Sequence, residues 1–466
     1  MQLPNPGGTK VKRYRLVLLS AVLSVGLVAG ACGRSGSDSG SSTADPAKAA
    51  SAACAKATLE ATDIGVSADT ITVEVMADTG SALAPGLFQG NVDAMNAYAK
   101  YINANGGIGC RQLKVVAWDS KLDPTESKNG IINACKTAVA MVGGNALFNP
   151  DTSILNTCVD KNGVATGLPD YAALANDINE QCAPTAFIIQ AVAESCTTLT
   201  GSRQLKAFTG TFEFYKTLAP SLTALWLVPG DLPTTIQSAT YQIAAAKQTG
   251  INVTESMKVS GRTEQSGFTT YVQAIKAGND NMVYNGSNDV VMTKMRKEAA
   301  AQGLDQVKVW GCSLACYTAN FQAAGAAVEG TYVWMQFLPF EEASSNAAVQ
   351  EYVNGSNGKP DSFGAQAWQS GMAFKATIDS IVAAKGANGI TRAAILETMK
   401  TLKFDADGWI GARTGPKVFS DCMVMMQMQG GKFVRVAPKE VGKLDCNPKY
   451  VSTVTIDPQE AAKLVK

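Results

Sequence analysis

The chain contains no histidine among its 466 residues. That removes the commonest general base and the commonest metal ligand from any scheme of function. Charge is sparse too: 17% of residues are Asp, Glu, Lys or Arg, and the formal net charge is +1. Past the first residues there is no basic tract, the electrostatic footprint that a nucleic-acid partner requires. Past Ala31 no hydrophobic run reaches the roughly 20 residues of a bilayer crossing. There is no Asp-x-Asp-x-Asp calcium loop and no Gly-Lys-Ser/Thr phosphate signature. Neither a metal nor a cofactor is expected.

What is present begins at the N-terminus. Lys10, Lys12, Arg13 and Arg15 precede an apolar, small-residue run, LVLLSAVLSVGLVAGA, which ends at Ala31. Basic flank, short apolar run and small-residue exit describe an export signal over residues 1–31. The exit AGAC, followed by GRSGSDSGSS, resembles a bacterial lipoprotein signal, although Ala29 stands where Leu or Val is usual. That resemblance implies lipidation of Cys32 and an anchor on the outer face of the cytoplasmic membrane; the alternative is cleavage that leaves Cys32 free. Removing residues 1–31, with four basic residues and no acid, takes the net charge from +1 to −3. Residues 32–66 read as a Gly/Ser/Ala-rich flexible tether.

Of eleven cysteines, ten remain when Cys32 is set aside. In an oxidising compartment an even number is most simply five disulfides. Connectivity does not follow from sequence, but the expected positions of the elements suggest Cys110–Cys135 and Cys158–Cys182 at the base of the first lobe. Cys422–Cys446 would tie the last strands to the tail, and Cys312–Cys316 would close a short loop. Cys54 and Cys196 are left over.

From residue 71 onward, short β-type runs alternate with helical ones. ITVEVMA, LKVVAW, AVAMV, VATGL and AFIIQ read as strands of a first series; TALWLV, VTESMKV, NMVYN, VKVWG and TYVWMQF form a second. Asp123 followed by Pro124 and Glu126 is a helix start. A helix is expected near 171–180, and later ones over 365–384 and 391–402. Such alternation gives parallel sheets covered on both faces, and two series give two α/β lobes. Ligands then sit at the C-terminal ends of strands. The candidate loops are 78–81, 143–146, 169–171, 230–231, 285–288 and 311–314.

The opening ITVEVMADTGSALAPGLFQGNVDAMNAYAKYINANGGIGCRQLKVVAWDSKLDPTES resembles periplasmic binding proteins of the branched-chain amino-acid (Leu/Ile/Val) type. The shared phrases are Thr79-Gly80, Ile102–Ile108, Asp119 and Asp123-Pro124; AVAMVGG, FTTYVQAIKAGNDNMVYNG, KMRKEAAAQGLDQVKVWG and GTYVWMQFLPFE follow in the family's order. The resemblance spans about residues 68–437. It implies two Rossmann-like lobes joined by three hinge crossovers, residues 67–195 with 338–415 and residues 196–337 with 416–466. It also implies a monomer that closes on a small molecule and docks on the permease of an ATP-driven importer. A sensor of the same fold that reports to a membrane partner is the alternative.

The pocket departs from amino-acid-binding relatives. Their first lobe offers hydroxyls to a carboxylate and their acids hold an ammonium, because buried charges need such partners. Here Asn145, Ala146 and Leu147 stand where a serine run is expected, Asp170 and Tyr171 replace a short Ala/Thr run, and Ser313 falls near the expected acid. The candidate ligand contacts are Ser81, Phe88, Asn145, Ala146, Asp170, Tyr171, Asp231, Asn285, Ser287, Asn288, Ser313 and Trp368, a mixture suited to a small amphipathic molecule. Each has a structural alternative: Asp231 and Asn285 as helix caps, Tyr171 and Trp368 as core aromatics. Asp78 and Asp119 read as loop organisers. WGCSLACYTAN reads as a disulfide bracing a pocket wall; a thiol enzyme using CSLAC is the remaining reading, and otherwise no catalysis is expected.

Overall fold

The computed structural model describes residues 46–54, 57–81, 84–191, 196 and 203–456. The export signal, Cys32 and the start of the tether lie outside them.

The first sheet holds β1 (Thr70–Ala77), β2 (Gln112–Asp119), β3 (Ala140–Val142), β4 (Asp170–Ala175) and β5 (Ala186–Ala191), in the order β2-β1-β3-β4-β5. All its pairings are parallel. The second sheet is built on β7 (Thr223–Pro229), β8 (Asn252–Val259), β9 (Met282–Asn285), β10 (Val309–Cys312) and β11 (Tyr332–Met335). Two antiparallel strands, β14 (Cys422–Gln429) and β15 (Lys432–Ala437), extend it to the order β15-β14-β11-β10-β9-β7-β8. A separate antiparallel pair joins β6 (Arg203–Phe208) to β17 (Val451–Ile456). The short strands β12 (Lys403–Phe404) and β13 (Arg413–Thr414) form a hairpin, and β16 (Asp445–Cys446) pairs with β14.

The helices are α1 (Pro46–Cys54), α2 (Gln89–Ala104), α3 (Pro124–Thr137), α4 (Ser153–Thr157), α5 (Ile178–Cys182), α6 (Gly210–Lys216), α7 (Pro233–Gln248), α8 (Thr269–Gly278), α9 (Asp289–Ala301), α10 (Ala319–Ala323), α11 (Ala347–Gly355), α12 (Ser362–Lys385) and α13 (Arg392–Met399). Alternation along each strand divides the core. Val73 and Val75 of β1 pack with Tyr98 of α2 and Phe374 of α12, whereas Met76 faces the layer with Ile131 and Leu155. In β7, Leu225 and Leu227 face the α8–α9 side, while Ala224, Trp226 and Val228 join Phe212 and Tyr241 under α6 and α7.

Local sequence explains the element ends. The Asp123 carboxylate accepts the amides of Thr125 and Glu126 at 2.8 and 2.9 Å, with Pro124 at the first helical position. Asp361 caps α12 through the Gly364 amide at 2.8 Å. Helix α12 is apolar on most sides because it is buried on most sides, which is the reason for its length without a polar face. It lies close to α2: a Cβ on Gly371 would come within 2.6 Å of the Tyr98 ring.

Three expectations are corrected. The fourth strand is β4, from Asp170, and not residues 164–168, where Gly167 takes a positive φ of 89° in a turn. The helix expected over 171–180 shrinks to α5. Asp170 and Tyr171 look polar enough for a loop, but both are buried in the strand.

The second correction concerns residues 46–66. Helix α1 packs on α12. The Arg111 guanidinium donates to the carbonyls of Ser67, Glu60 and Ala387, and Asp63 accepts the Arg392 amide at 2.8 Å. The Arg392 side chain in turn donates to the carbonyls of Cys135 and Ala138 at the C-terminal end of α3, where a cation is favoured. This stretch belongs to the first lobe and is no tether.

The third concerns the disulfides, which join Cys54–Cys110, Cys135–Cys158, Cys182–Cys196, Cys312–Cys316 and Cys422–Cys446. The pairings Cys110–Cys135 and Cys158–Cys182 are not formed. With α1 packed at the base of the first sheet, Cys54 reaches Cys110, and the remaining three cysteines of that lobe pair in sequence order with Cys196.

Candidate functional site

The chain crosses between the sheets at three places: after β5, after β11, and between β13 and β14. At the C-terminal ends of both parallel sheets lies a cavity of about 280 Å³. Its first-lobe wall carries Leu87, Phe88, Leu122, Leu147, Leu174 and Phe363, with Asn176 and Gln190 as polar groups. Phe88 and Phe363 meet edge to face with ring centroids 4.9 Å apart. The second-lobe wall carries Asp231, Leu232, Ser287, Asn288, Ser313 and Leu314 from the segments after β7, β9 and β10, with Thr235 from the first turn of α7. Deeper in that lobe Phe208, Thr211, Phe212, Tyr241, Gln242 and Trp334 continue the lining.

Hydrogen bonds cross from lobe to lobe beside the cavity. Thr234 Oγ1 donates to the Leu147 carbonyl at 2.7 Å, and Ser362 Oγ donates to the Leu314 carbonyl at 3.2 Å. The lobes are therefore in contact around the cavity.

Asp78, at the end of β1, organises the first-lobe wall. Its Oδ1 accepts from Ser120 Oγ at 2.6 Å and from the Leu122 amide at 2.7 Å; its Oδ2 accepts the Leu147 amide at 2.8 Å. One carboxylate thus holds two of the leucines that face the cavity. Burial raises its pKa, against the pull of those hydrogen bonds. Asp119 Oδ1 accepts the amides of Thr79, Gly80 and Lys121, each at 3.0 Å.

The structure places the candidate residues unevenly. Phe88, Asp231, Ser287, Asn288 and Ser313 line the cavity. Ser81, Asn145, Ala146, Asp170, Tyr171, Asn285 and Trp368 do not. Ser81 and Asn145 are buried in the first lobe beside β1, and Ala146 packs with Ile131 and Leu155. Tyr171 donates to Thr377 Oγ1 at 2.7 Å and stacks on Phe187, inside the first lobe. Asp170 lies on the opposite face of β4, and burial pushes its carboxyl up to about 7. Trp368 packs against Tyr98 and Tyr352. It lies five residues beyond Phe363, about 140° around the helix, so only Phe363 reaches the cleft. Asn285 is a loop organiser: its Nδ2 donates to the Asn288 carbonyl at 2.8 Å and its Oδ1 accepts the Ser287 amide at 3.1 Å. The helix cap is Asn288, through the Val291 amide at 3.1 Å.

Residues missed in the sequence fall into two groups. Leu122, Leu147 and Asn176 follow β2, β3 and β4, and Leu174 lies near the end of β4, so correct strand ends locate all four. Phe208 and Phe212 carried no signal, because β6 and α6 were not legible; Tyr241, Gln242 and Trp334 lie in legible elements, but the packing of those elements around a recess was not.

The Cys312–Cys316 bridge is shut from solvent, with Asn285 Nδ2 at 3.5 and 3.7 Å from its sulfurs. It backs the loop whose Ser313 lines the cavity and offers no free thiol. No lysine or arginine side chain lines the cavity among the described residues. Among the same residues no helix is long and apolar enough to cross a membrane.

Residues 70–432 match the family described as periplasmic binding protein, well over half of the chain. The chain belongs to the periplasmic binding protein family. Its fold is the two-lobed type I form, as solved structures show. A Rhodopseudomonas palustris solute-binding protein of an ABC transporter, in complex with benzoate, is 16% identical with a TM-score of 0.58, over 80% of this chain and 99% of its own. The leucine-binding protein LivK of Thermotoga maritima is 13% identical, TM-score 0.59, over 81% and 99%. LivJ of Streptococcus pneumoniae, in complex with isoleucine, is 16% identical, TM-score 0.57, over 84% and 100%. No curated sequence relative matches. As a periplasmic binding protein, the chain has its cavity in the crevice that strand order dictates for such sheets.

Proposed function

We propose that the chain is the extracytoplasmic solute-binding component of an ABC importer. It captures one small amphipathic molecule between its lobes and hands it to a membrane permease. The observation that carries this reading is the cavity at the sheet ends, with apolar side chains and a few polar groups drawn from both lobes. A pocket of that kind suits a small, partly apolar ligand. Histidine is absent and the two cysteines beside the cavity are bridged, so neither the usual base nor a thiolate is available there.

The ligand is not a standard α-amino acid on this reading. A zwitterion needs a buried acid for its ammonium and a donor cluster for its carboxylate. The one acid that lines the cavity among the described residues, Asp231, is exposed at its rim. Solved structures of this fold include one in complex with benzoate and one in complex with isoleucine. The basic cluster, apolar run and Cys32 support export and lipid anchoring.

A thermal-shift screen of the mature domain tests the reading, since a ligand that binds only the folded state stabilises it by mass action. The expected result is a rise in melting temperature with a small amphipathic metabolite, and co-purification of a permease from native membranes. Silence from amides, organic acids, aromatic alcohols and amino acids, with no permease recovered, contradicts it.

A further inference from the structure

The cavity does not stop at the cleft. It runs behind the second sheet into the layer under α6 and α7, where Phe208, Thr211, Phe212, Tyr241, Gln242 and Trp334 line it. Aromatic rings build this recess in sequence. Phe208 stacks on Trp334 at 5.3 Å, Phe212 leans on Trp226 at 5.6 Å, and Trp226 stacks on Tyr284 at 4.3 Å. Trp334 Nε1 is already used, donating to Tyr284 Oη at 2.9 Å.

Three polar atoms here have no partner in the protein. Trp226 Nε1 belongs to a side chain with no exposed surface, Thr211 Oγ1 to one that is 1% exposed, and Gln242 Oε1 is itself buried. Trp226 Nε1 and Gln242 Oε1 converge on one point: each lies 3.6 Å from where a Cβ on Gly286 would sit. Gly286 also lines the cavity. Thr211 and Gln242 are lining residues, and the Trp226 indole N–H lies just behind the lining at Gly286, in an apolar setting where an unmet polar atom is costly. No lysine or arginine side chain is there to meet an anion among the described residues.

We infer that this recess is a specificity subsite for the ring-bearing end of an uncharged ligand whose hydroxyl or carboxamide group bonds to Trp226, Gln242 and Thr211. A hydroxyl or a carboxamide both accepts and donates, as the Trp226 N–H and the Gln242 oxygen require. A carboxylate accepts only, so it leaves the Gln242 oxygen unmet and brings a buried charge without a counter-ion. The absence of a side chain at Gly286 keeps the meeting point open. The inference rests on the solute-binding reading and narrows its substrate class.

Benzamide, benzyl alcohol, benzoate and leucine are the probes, with binding read by thermal shift and calorimetry on the whole mature protein. Benzamide and benzoate share a shape and differ in charge. The expected result is that a neutral probe binds about tenfold or more tightly than benzoate, given the cost of an unpaired buried carboxylate. Gln242→Leu and Thr211→Val each weaken that binding about fivefold, the worth of one neutral hydrogen bond. Gly286→Ala abolishes it, and Gln242→Leu, on a half-buried side chain, keeps the test open if the alanine variant fails to fold. Failure of both neutral probes to bind overturns the inference. So does binding that ignores all three substitutions. If benzoate or leucine binds equally to wild type and variants, solute capture in the cleft stands and the recess assignment falls.

Discussion

The hydroxyl of Thr234, at the second position of α7, donates across the cleft to the carbonyl of Leu147, 2.7 Å away. Leu147 lines the cavity and its own amide is held by Asp78, so one residue links the wall of the first lobe to a helix of the second. Closure and pocket formation are thereby coupled. Thr234→Val keeps the shape and removes the bond. A neutral hydrogen bond contributes about 0.5 to 1.5 kcal/mol, so ligand affinity should fall about two- to tenfold. Small-angle scattering of the ligand-free variant should show a more open particle than wild type.

Asp78 should matter more. Asp78→Ala leaves the Leu122 and Leu147 amides and the Ser120 hydroxyl without their acceptor. Each buried group left unmet costs about 1 to 3 kcal/mol. We expect a loss of several degrees in melting temperature and a loss of binding larger than that of Thr234→Val, both measurable in one thermal-shift titration.

Stability should fall as pH rises through neutrality. Glu74 is fully buried in β1; desolvation pushes its carboxyl up to about 7, against a hydrogen bond from Asn133 Nδ2 at 2.6 Å. Asp170 is likewise pushed up to about 7, and Glu180 is raised further by burial and by Asp170. An acid whose folded value exceeds its unfolded one holds its proton in the folded state longer. The stability it contributes is full below the unfolded value and is lost as pH rises through the folded value. Glu74→Gln should therefore change little near pH 4.5 and stabilise by about 1 to 3 kcal/mol at pH 8. Urea denaturation at the two pH values decides it; equal effects at both would contradict the assignment.

The Cys54–Cys110 bridge fastens α1 to the base of the first sheet across a separation of 56 residues. Cys54→Ala with Cys110→Ala should cost about 2 to 5 kcal/mol. Peptide mapping without reduction should recover Cys54 with Cys110 and Cys135 with Cys158. Recovery of Cys110 with Cys135 would contradict the fold of residues 46–66.

The two-sheet architecture was legible because β-branched and apolar runs such as LKVVAW and TALWLV are followed by helix starts, of which Asp123-Pro124 is the clearest. The cleft loops followed from strand direction alone, and four of the candidates in them, Asp231, Ser287, Asn288 and Ser313, reach the cavity. The rest failed for identifiable reasons. Asp170 and Tyr171 look like loop residues by polarity, but one is a buried carboxyl raised by desolvation and the other spends its hydroxyl on Thr377. Trp368 is an aromatic of suitable type, but the phase of α12 points Phe363 into the cavity instead. The recess of the second lobe depends on β6 pairing with β17, residues about 250 apart in sequence, and no local pattern announces such a pairing.

The central claim, capture of a small uncharged or amphipathic solute between the lobes, is tested most directly by a crystal structure of the protein with the molecule that stabilises it most. The account predicts density in the cavity between Phe88 and Phe363 on one side and Gly286 on the other, with a polar group of the ligand within hydrogen-bond distance of Gln242 or Ser313. Density for that molecule elsewhere on the protein, with only solvent in the cavity, would contradict it.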